Sequence, residues 1–161
     1  MKKLVLDSAD IRILSALQEH GQLSKTRLAE LVSLSPTPCW ARLTKLKKAG
    51  LILGYHADIA LHNLGDLTRV VVNVSLTNHR KIDFERFENH INQQDEIVEC
   101  IATGGGTDYV MKVIVQNLAA FQCLIDELLS AELGIERYMT YIVTREVKSV
   151  QPNLSRLLKP R

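Results

Sequence analysis

Between Asp10 and His20 the apolar residues Ile13, Leu14 and Leu17 recur at helical spacing, and Gly21 stands where a helix would end. Ser24 is placed to cap a second, short helix whose apolar positions are Leu28, Leu31 and Val32. A third begins within Ser35-Pro36-Thr37-Pro38. The residue before a proline is pushed away from helical geometry and a proline fits the first helical position, so Thr37 is the expected N-cap and Pro38 the first residue. This helix runs to Ala49 and stops at Gly50, with Cys39, Leu43 and Leu46 on one face and Thr37, Arg42, Lys45 and Lys48 elsewhere. From Leu51 to Ile59, apolar residues around a turn near Gly54 and Tyr55 predict a short two-stranded ribbon. Three helices and a ribbon make a winged helix-turn-helix over residues 1–60.

Residues 61–68, with Asn63, Gly65 and Asp66, break both periodicities and predict a linker. Beyond it, strand and helix patterns alternate across residues 69–148. Val70, Val72, Val74 and Leu76 share one side of a strand from Arg69 to Thr77, and Phe84, Phe87 and Ile91 follow at helical spacing. Strands at Ile97–Thr103 and Thr107–Val115 flank Gly104-Gly105-Gly106, a hairpin signal. Leu118, Phe121, Leu124, Ile125 and Leu128 form another helical stripe, and Tyr138 to Val147 reads as the last strand. The order βαββαβ predicts a ferredoxin-like sandwich, so the fold class is α+β. Two helices cover only one face of a four-stranded sheet. Alternation puts Val71, Ile97, Ile101, Val110 and Ile114 opposite Val70, Val72, Val74, Cys100, Met111 and Val113, so neither face is polar and a homodimer through this domain is expected.

Charge sharpens the division. Residues 1–59 hold nine Lys and Arg against five Asp and Glu, residues 60–147 hold seven against thirteen, and the tail from Lys148 adds four basic residues and no acid. The basic N-terminal part is where a polyanion such as double-stranded DNA would dock. The tail, residues 149–161, contains Pro152 and Pro160 and is expected to be a loose end. A composition of 46% hydrophobic and 24% charged residues is that of a globular protein. With no apolar leader before a cleavage site at the N-terminus and no membrane-length apolar run, a soluble cytoplasmic protein is expected. Cys39, Cys100 and Cys123 lack any CxxC pair, and the five histidines, His79 among them, lack metal-ligand spacing, so neither a disulfide framework nor a metal site is expected. There is no Gly-x-Ser-x-Gly, no paired-carboxylate context and no Cys/His arrangement, which argues against an enzyme and against a cofactor.

The third helix stands after a short helix and a tight turn, where recognition helices occur. Its candidate DNA-contacting residues are Ser35, Thr37, Pro38, Trp40, Ala41, Arg42, Lys45 and Lys48. Arg42 suits bidentate contact with guanine, while Lys45, Lys47 and Lys48 suit phosphates and Thr37 could hold one at the helix N-terminus. For Trp40, packing beneath the wing is favoured over base contact, because a large ring usually buries most of its surface. In the second domain Gly104-Gly105-Gly106-Thr107-Asp108-Tyr109 lacks the lysine and following helix of a phosphate loop. On glycine content alone a plain hairpin and a ligand loop are equal readings. Asp108 favours the second, since a carboxylate beside exposed amides suits the ammonium and carboxylate of an amino acid. Thr140, Ile142 and Thr144, alternating on the last strand, would add hydroxyls and an apolar wall.

Three segments together resemble the Lrp/AsnC family of transcription factors, from about Asp7 to Lys148: Leu6-Asp7-Ser8-Ala9-Asp10-Ile11-Arg12-Ile13-Leu14; Leu34 to Leu43, reading Leu-Ser-Pro-Thr-Pro-Cys-Trp-Ala-Arg-Leu, with Leu46 and Gly50-Leu51-Ile52; and Gly106-Thr107-Asp108-Tyr109. The run Tyr141 to Lys148 fits as well. The resemblance implies a regulator responding to a small effector, an amino acid, that dimerises through its C-terminal domain and often assembles into tetramers or octamers. It places the effector near the hairpin, with Thr103, Gly104, Gly106, Asp108, Tyr109, Thr140 and Ile142 as candidate contacts. Control of amino acid catabolism is the fainter likeness. Family members often have glycine where Ser33 stands, and a non-glycine residue at positive φ costs on the order of 1 kcal/mol, so the turn is expected to differ slightly in shape. Two other readings stay open: a ligand-binding or enzymatic C-terminal module whose N-terminal helices bind protein, and an architectural DNA binder without an effector.

Overall fold

Asp7 opens the first helix by a reciprocal exchange. Its carboxylate accepts the N–H of Asp10 at 2.9 Å while the Asp10 carboxylate accepts the N–H of Asp7 at 3.3 Å, a capping box that starts α1 (Ser8–His20) two residues ahead of the apolar pattern. The computed structural model describes residues 5–158 and divides into two units, residues 1–59 with 148–161 and residues 60–147. In the first unit α2 (Lys25–Leu31) is capped by Ser24, as its sequence indicates. The helix α3 (Pro36–Lys48) begins earlier than expected, with Ser35 as N-cap, Pro36 in the first position, and Thr37 and Pro38 inside the first turn. Pro38 is tolerated there because the N–H groups of a first turn have no intrahelical acceptor.

Two helices of this unit end in the same way. At the end of α3, Gly50 has φ +71° while Leu51 donates to the Leu46 carbonyl at 3.2 Å and Gly50 to Lys47 at 2.9 Å. At the end of α2, Ser33 takes φ +54°, with Leu34 donating to Ala29 at 3.0 Å and Ser33 to Glu30 at 3.2 Å. Both are Schellman closures. The turn into α3 therefore keeps its left-handed shape despite lacking glycine, contrary to the altered turn expected. Ile13, Leu17, Leu28, Val32, Cys39, Leu43 and Leu46 form the core beneath these helices, and Ile52 and Tyr55 pack against it.

The expected ribbon is not formed: residues 51–60 carry no strand pairing. A lone two-stranded hairpin is marginal in water, and Leu53 lies exposed with no third strand to cover it. The tail also departs from expectation. Asn153 caps the short helix α6 (Leu154–Leu157), which packs on α1 instead of hanging free. Residues 159–161 of that tail, and 1–4 at the other end, lie outside the described residues.

In the second unit a short 3-10 turn, Leu61–Asn63, leads into β1 (Thr68–Leu76), α4 (Lys81–Ile91), β2 (Ile97–Ala102), β3 (Tyr109–Val115), α5 (Leu118–Ser130) and β4 (Ile135–Ile142). The sheet is antiparallel in the order β2-β3-β1-β4, a ferredoxin-like α+β arrangement. Val70, Val72, Val74 and Leu76 of β1 are buried with Met111 and Val113 of β3 under Phe87 and Ile91 of α4 and Phe121, Leu124, Ile125 and Leu128 of α5. β4 begins three residues earlier than its apolar pattern indicates and ends at Ile142, because β1 supplies partners from Leu76 opposite Ile135 to Val70 opposite Ile142. Thr144 falls beyond the strand.

A bulge at Val98 changes the phase of β2. Ile97 pairs with Val113 on the helix-covered side, while Glu99 and Ile101 pair with Lys112 and Val110 on the open side. One extra residue moves every later side chain to the other face, so Ile97 joins the core and not the face predicted for it. The open face carries half-buried Val71, Val110 and Ile114 with exposed Ile101, Met139 and Tyr141, crossed by the ion pair of Lys112 with Glu99. No described helix is long and apolar enough to cross a membrane.

Candidate functional site

One side of α3 is fixed by burial. Cys39, Leu43 and Leu46 face the core, so helical periodicity turns Thr37, Ala41, Lys45 and Lys48 away from it, with Trp40 at the edge of the stripe. These residues, with Ser35 and Pro38 at the helix start, are all exposed. Trp40 does not pack beneath a wing. It is 39% exposed, and the Lys25 ammonium of α2 sits 4.1 Å from its ring centroid, a cation–π contact. The sequence held no sign of that neighbour, since fifteen positions separate the two residues. The tail also adds to the positive balance of this unit: residues 1–59 with 148–161 hold thirteen Lys and Arg against five Asp and Glu.

Arg42 has a different place from the other members of the set. Its guanidinium Nη1 donates to Asp7 Oδ2 at 2.6 Å and to Asp10 Oδ1 at 2.8 Å. Asp10 is 2% exposed, so Arg42 is the cation that compensates a buried carboxylate at the start of α1. The backbone N–H of Asp10, then Arg42, hold the Asp7 carboxyl below its ordinary range. In this arrangement the Nη1 arm of the fork that would read a guanine is committed to α1.

In the second unit the β2–β3 hairpin is tied down by its own side chains. The Thr103 hydroxyl donates to the Thr107 carbonyl at 2.6 Å, and the Thr107 hydroxyl to the Val74 carbonyl at 2.8 Å. Gly104, Gly105 and Gly106 are exposed at the tip, and Gly105 has φ +144°. The Asp108 carboxylate accepts the backbone N–H of Leu76 at 2.7 Å and meets His79 Nε2 at 3.0 and 3.1 Å. Sequence reading set His79 aside as one of several scattered histidines. Nothing in its spacing foretold a partner 29 residues away.

The structure brings together only part of the expected effector set. Thr103, Gly104, Gly106 and Asp108 share the hairpin. Tyr109 is 3% exposed: its ring lies 4.6 Å from that of Phe87 and its hydroxyl donates to Glu88 at 2.8 Å. Burial, then the hydrogen bond to Glu88, push its phenol well above the ordinary value. Tyr109 is thus a core residue beneath the hairpin, not an open contact. Thr140 and Ile142 sit on β4 opposite Val72 and Val70, with all of β1 between them and β3. Within one subunit they do not meet the hairpin.

Comparison with known proteins agrees with both units. Residues 6–52 match the family described as winged helix-turn-helix DNA-binding, and residues 69–152 the one described as Lrp/AsnC ligand binding domain. The chain is 43% identical over 150 residues to the transcriptional regulatory protein DoeX of Halomonas elongata, covering 93% of this chain and 95% of that protein. It is 36% identical over 143 residues to the leucine-responsive regulatory protein of Escherichia coli K12, covering 89% and 87%. Among solved structures it is similar to a transcriptional regulator of Neisseria meningitidis in complex with L-Met, with a TM-score of 0.85, 32% identity and coverage of 95% of this chain and 99% of that one. With both signatures in order along the chain and relatives matched over nearly their whole length, this chain belongs to the Lrp/AsnC family of DNA-binding transcriptional regulators.

Proposed function

We propose that the effector of this regulator is an amino acid held at the β2–β3 hairpin, and that the protein works as a homodimer joined through its second unit. The observation that carries the reading is the Asp108 carboxylate, fixed by the Leu76 N–H at 2.7 Å beside the exposed backbone of Gly104 and Gly106. A carboxylate suits an ammonium, and backbone amides freed by glycine suit a carboxylate. The Escherichia coli relative is named for its response to leucine, and the Neisseria regulator was solved with L-Met. Thr103, Gly104, Gly106 and Asp108 are the proposed contacts, with Tyr109 as their support from the core. Thr140 and Ile142 take part as contributions of a second subunit, since they lie opposite Val72 and Val70, further along β4 than the Arg137 end that reaches the hairpin.

On the DNA side, Ser35, Thr37, Pro38, Trp40, Ala41, Lys45 and Lys48 form the proposed contact surface, with Arg42 positioning the helix. Phosphate contacts of this kind make affinity fall steeply with salt. The test is a thermal-shift screen of the standard L-amino acids against the wild type and Asp108→Asn, followed by fluorescence anisotropy on duplex DNA from upstream of its own gene. At least one amino acid is expected to stabilise the wild type, to lose that effect in Asp108→Asn, and to change DNA affinity. Reciprocal linkage requires the last result. An amino acid that stabilises both proteins equally, or none that stabilises the wild type, would overturn the proposal.

A further inference from the structure

The Asp108 carboxylate is already occupied. One oxygen accepts the Leu76 N–H at 2.7 Å, and His79 Nε2 stands 3.0 Å from the other and 3.1 Å from the first. A carboxylate only accepts, so Nε2 carries the proton whether the imidazole is neutral or charged. The side chains differ in exposure, 59% for His79 against 20% for Asp108. His79 lies in the loop between β1 and α4, its ring 5.8 Å from Phe84, which stands 6.2 Å from Tyr109. One side of the imidazole thus rests on an aromatic support and the other faces solvent. Two other cations here have partners of their own. Arg80 holds Asp83 at 2.8 Å, and Arg137 reaches the Gly106 carbonyl at 3.4 Å.

We propose that His79 is a built-in competitor for the ammonium of the effector at Asp108, and so sets the affinity of the site. The inference rests on the reading that an amino acid binds at this hairpin. An incoming ammonium needs the oxygen that His79 now holds, while the Leu76 N–H keeps the carboxylate oriented throughout. The imidazole can swing into solvent because it is exposed on one side and makes no other side-chain hydrogen bond among the described residues. The cost of moving it is subtracted from every ligand that uses Asp108, and from no ligand that lacks an amine.

The full chain is titrated by calorimetry with the L-amino acids, L-leucine and L-methionine first, and with the matching carboxylic acids that lack the α-amino group. Wild type, His79→Ala, His79→Lys and Asp108→Asn are compared after their melting temperatures have been checked. His79→Ala is expected to tighten amino acid binding by about two- to fivefold, the range of an exposed hydrogen-bonded or ionic pair, and to leave the deaminated acids unchanged. His79→Lys, a permanent cation, is expected to weaken amino acid binding by a similar factor. Equal or weaker amino acid binding in His79→Ala, or equal tightening of the deaminated acids, would overturn the competitor role while leaving the amino acid site intact. If no amino acid binds the wild type or His79→Ala, the site itself falls and the competitor with it.

Discussion

Arg42 and Asp10, 32 residues apart, meet at 2.8 Å at the start of the first helix, and the same guanidinium nitrogen reaches Asp7 at 2.6 Å. The contact joins α3 to the capping box of α1, so the angle at which α3 is presented depends on it. Replacing Arg42 by alanine leaves Asp10, 2% exposed, without its cation. The expected result is a drop in melting temperature on the order of 5 °C, with DNA affinity reduced on every sequence tested. Anisotropy on operators substituted one base pair at a time separates this from direct reading. A variant of unchanged melting temperature whose loss is confined to one base pair would show that Arg42 leaves α1 to contact the base.

The same cluster gives the first unit a dependence on acid. The folded-state pKa of Asp7 is lowered, first by the Asp10 N–H and then by Arg42. A lowered pKa contributes stability that is present above the unfolded value, about 3.9, and is lost as pH falls through the folded one. Asp83, at the start of α4, is lowered likewise by Arg80. Asp7→Asn is therefore expected to lower stability at pH 6 and to flatten its fall between pH 4 and 2. Urea titrations at the two ends of that range measure the change. An Asp7→Asn protein as acid-sensitive as the wild type would show that Asp7 does not carry the dependence.

What the sequence made legible was whatever depends on local period and local caps. Ser24, Gly21 and Gly50 mark helix ends because a cap acts within one turn, and the stripe of Phe121, Leu124, Ile125 and Leu128 appears because the helix repeats within the same window. Family motifs added the ligand-binding domain. Pairings across distance stayed hidden: Arg42 with Asp7 and Asp10, His79 with Asp108, and Lys25 over Trp40. The bulge at Val98 was hidden as well, since a single added residue leaves the composition of β2 unchanged while reversing its faces. Tyr109 was placed at the site because the motif names it, although its hydroxyl satisfies Glu88 in the interior.

Ser33 offers a test of local strain. It adopts φ +54° in the same closure that Gly50 makes at φ +71° at the end of α3, and a side chain in that region costs free energy that glycine avoids. Its side chain makes no hydrogen bond among the described residues, and the residue is exposed. Ser33→Gly is therefore expected to stabilise the first unit by about 0.5–1 kcal/mol, the unfolded chain's added freedom offsetting part of the relief. Chemical denaturation measures it. A destabilised variant would mean that the serine side chain makes a contribution larger than the strain.

The open face of the sheet carries the last prediction. Val71, Met139 and Tyr141 lie together there, since Val71 pairs with Tyr141 and Asn73 with Met139 in the β1–β4 register. Tyr141 is half-exposed on the face opposite the one that α4 and α5 cover, so a second copy is the cover that the proposed homodimer requires. Tyr141→Lys places a charge in the middle of that contact and is expected to shift the protein to monomer in sedimentation experiments at micromolar concentration. Leu118→Lys, an equally exposed position on α5, is the control and should leave assembly unchanged. Because two α3 helices tethered in the proposed homodimer would meet DNA at a high effective concentration, the monomer is expected to lose affinity on the order of a hundredfold. A Tyr141→Lys protein that sediments like the wild type would remove this face from the interface, whatever its affinity for DNA.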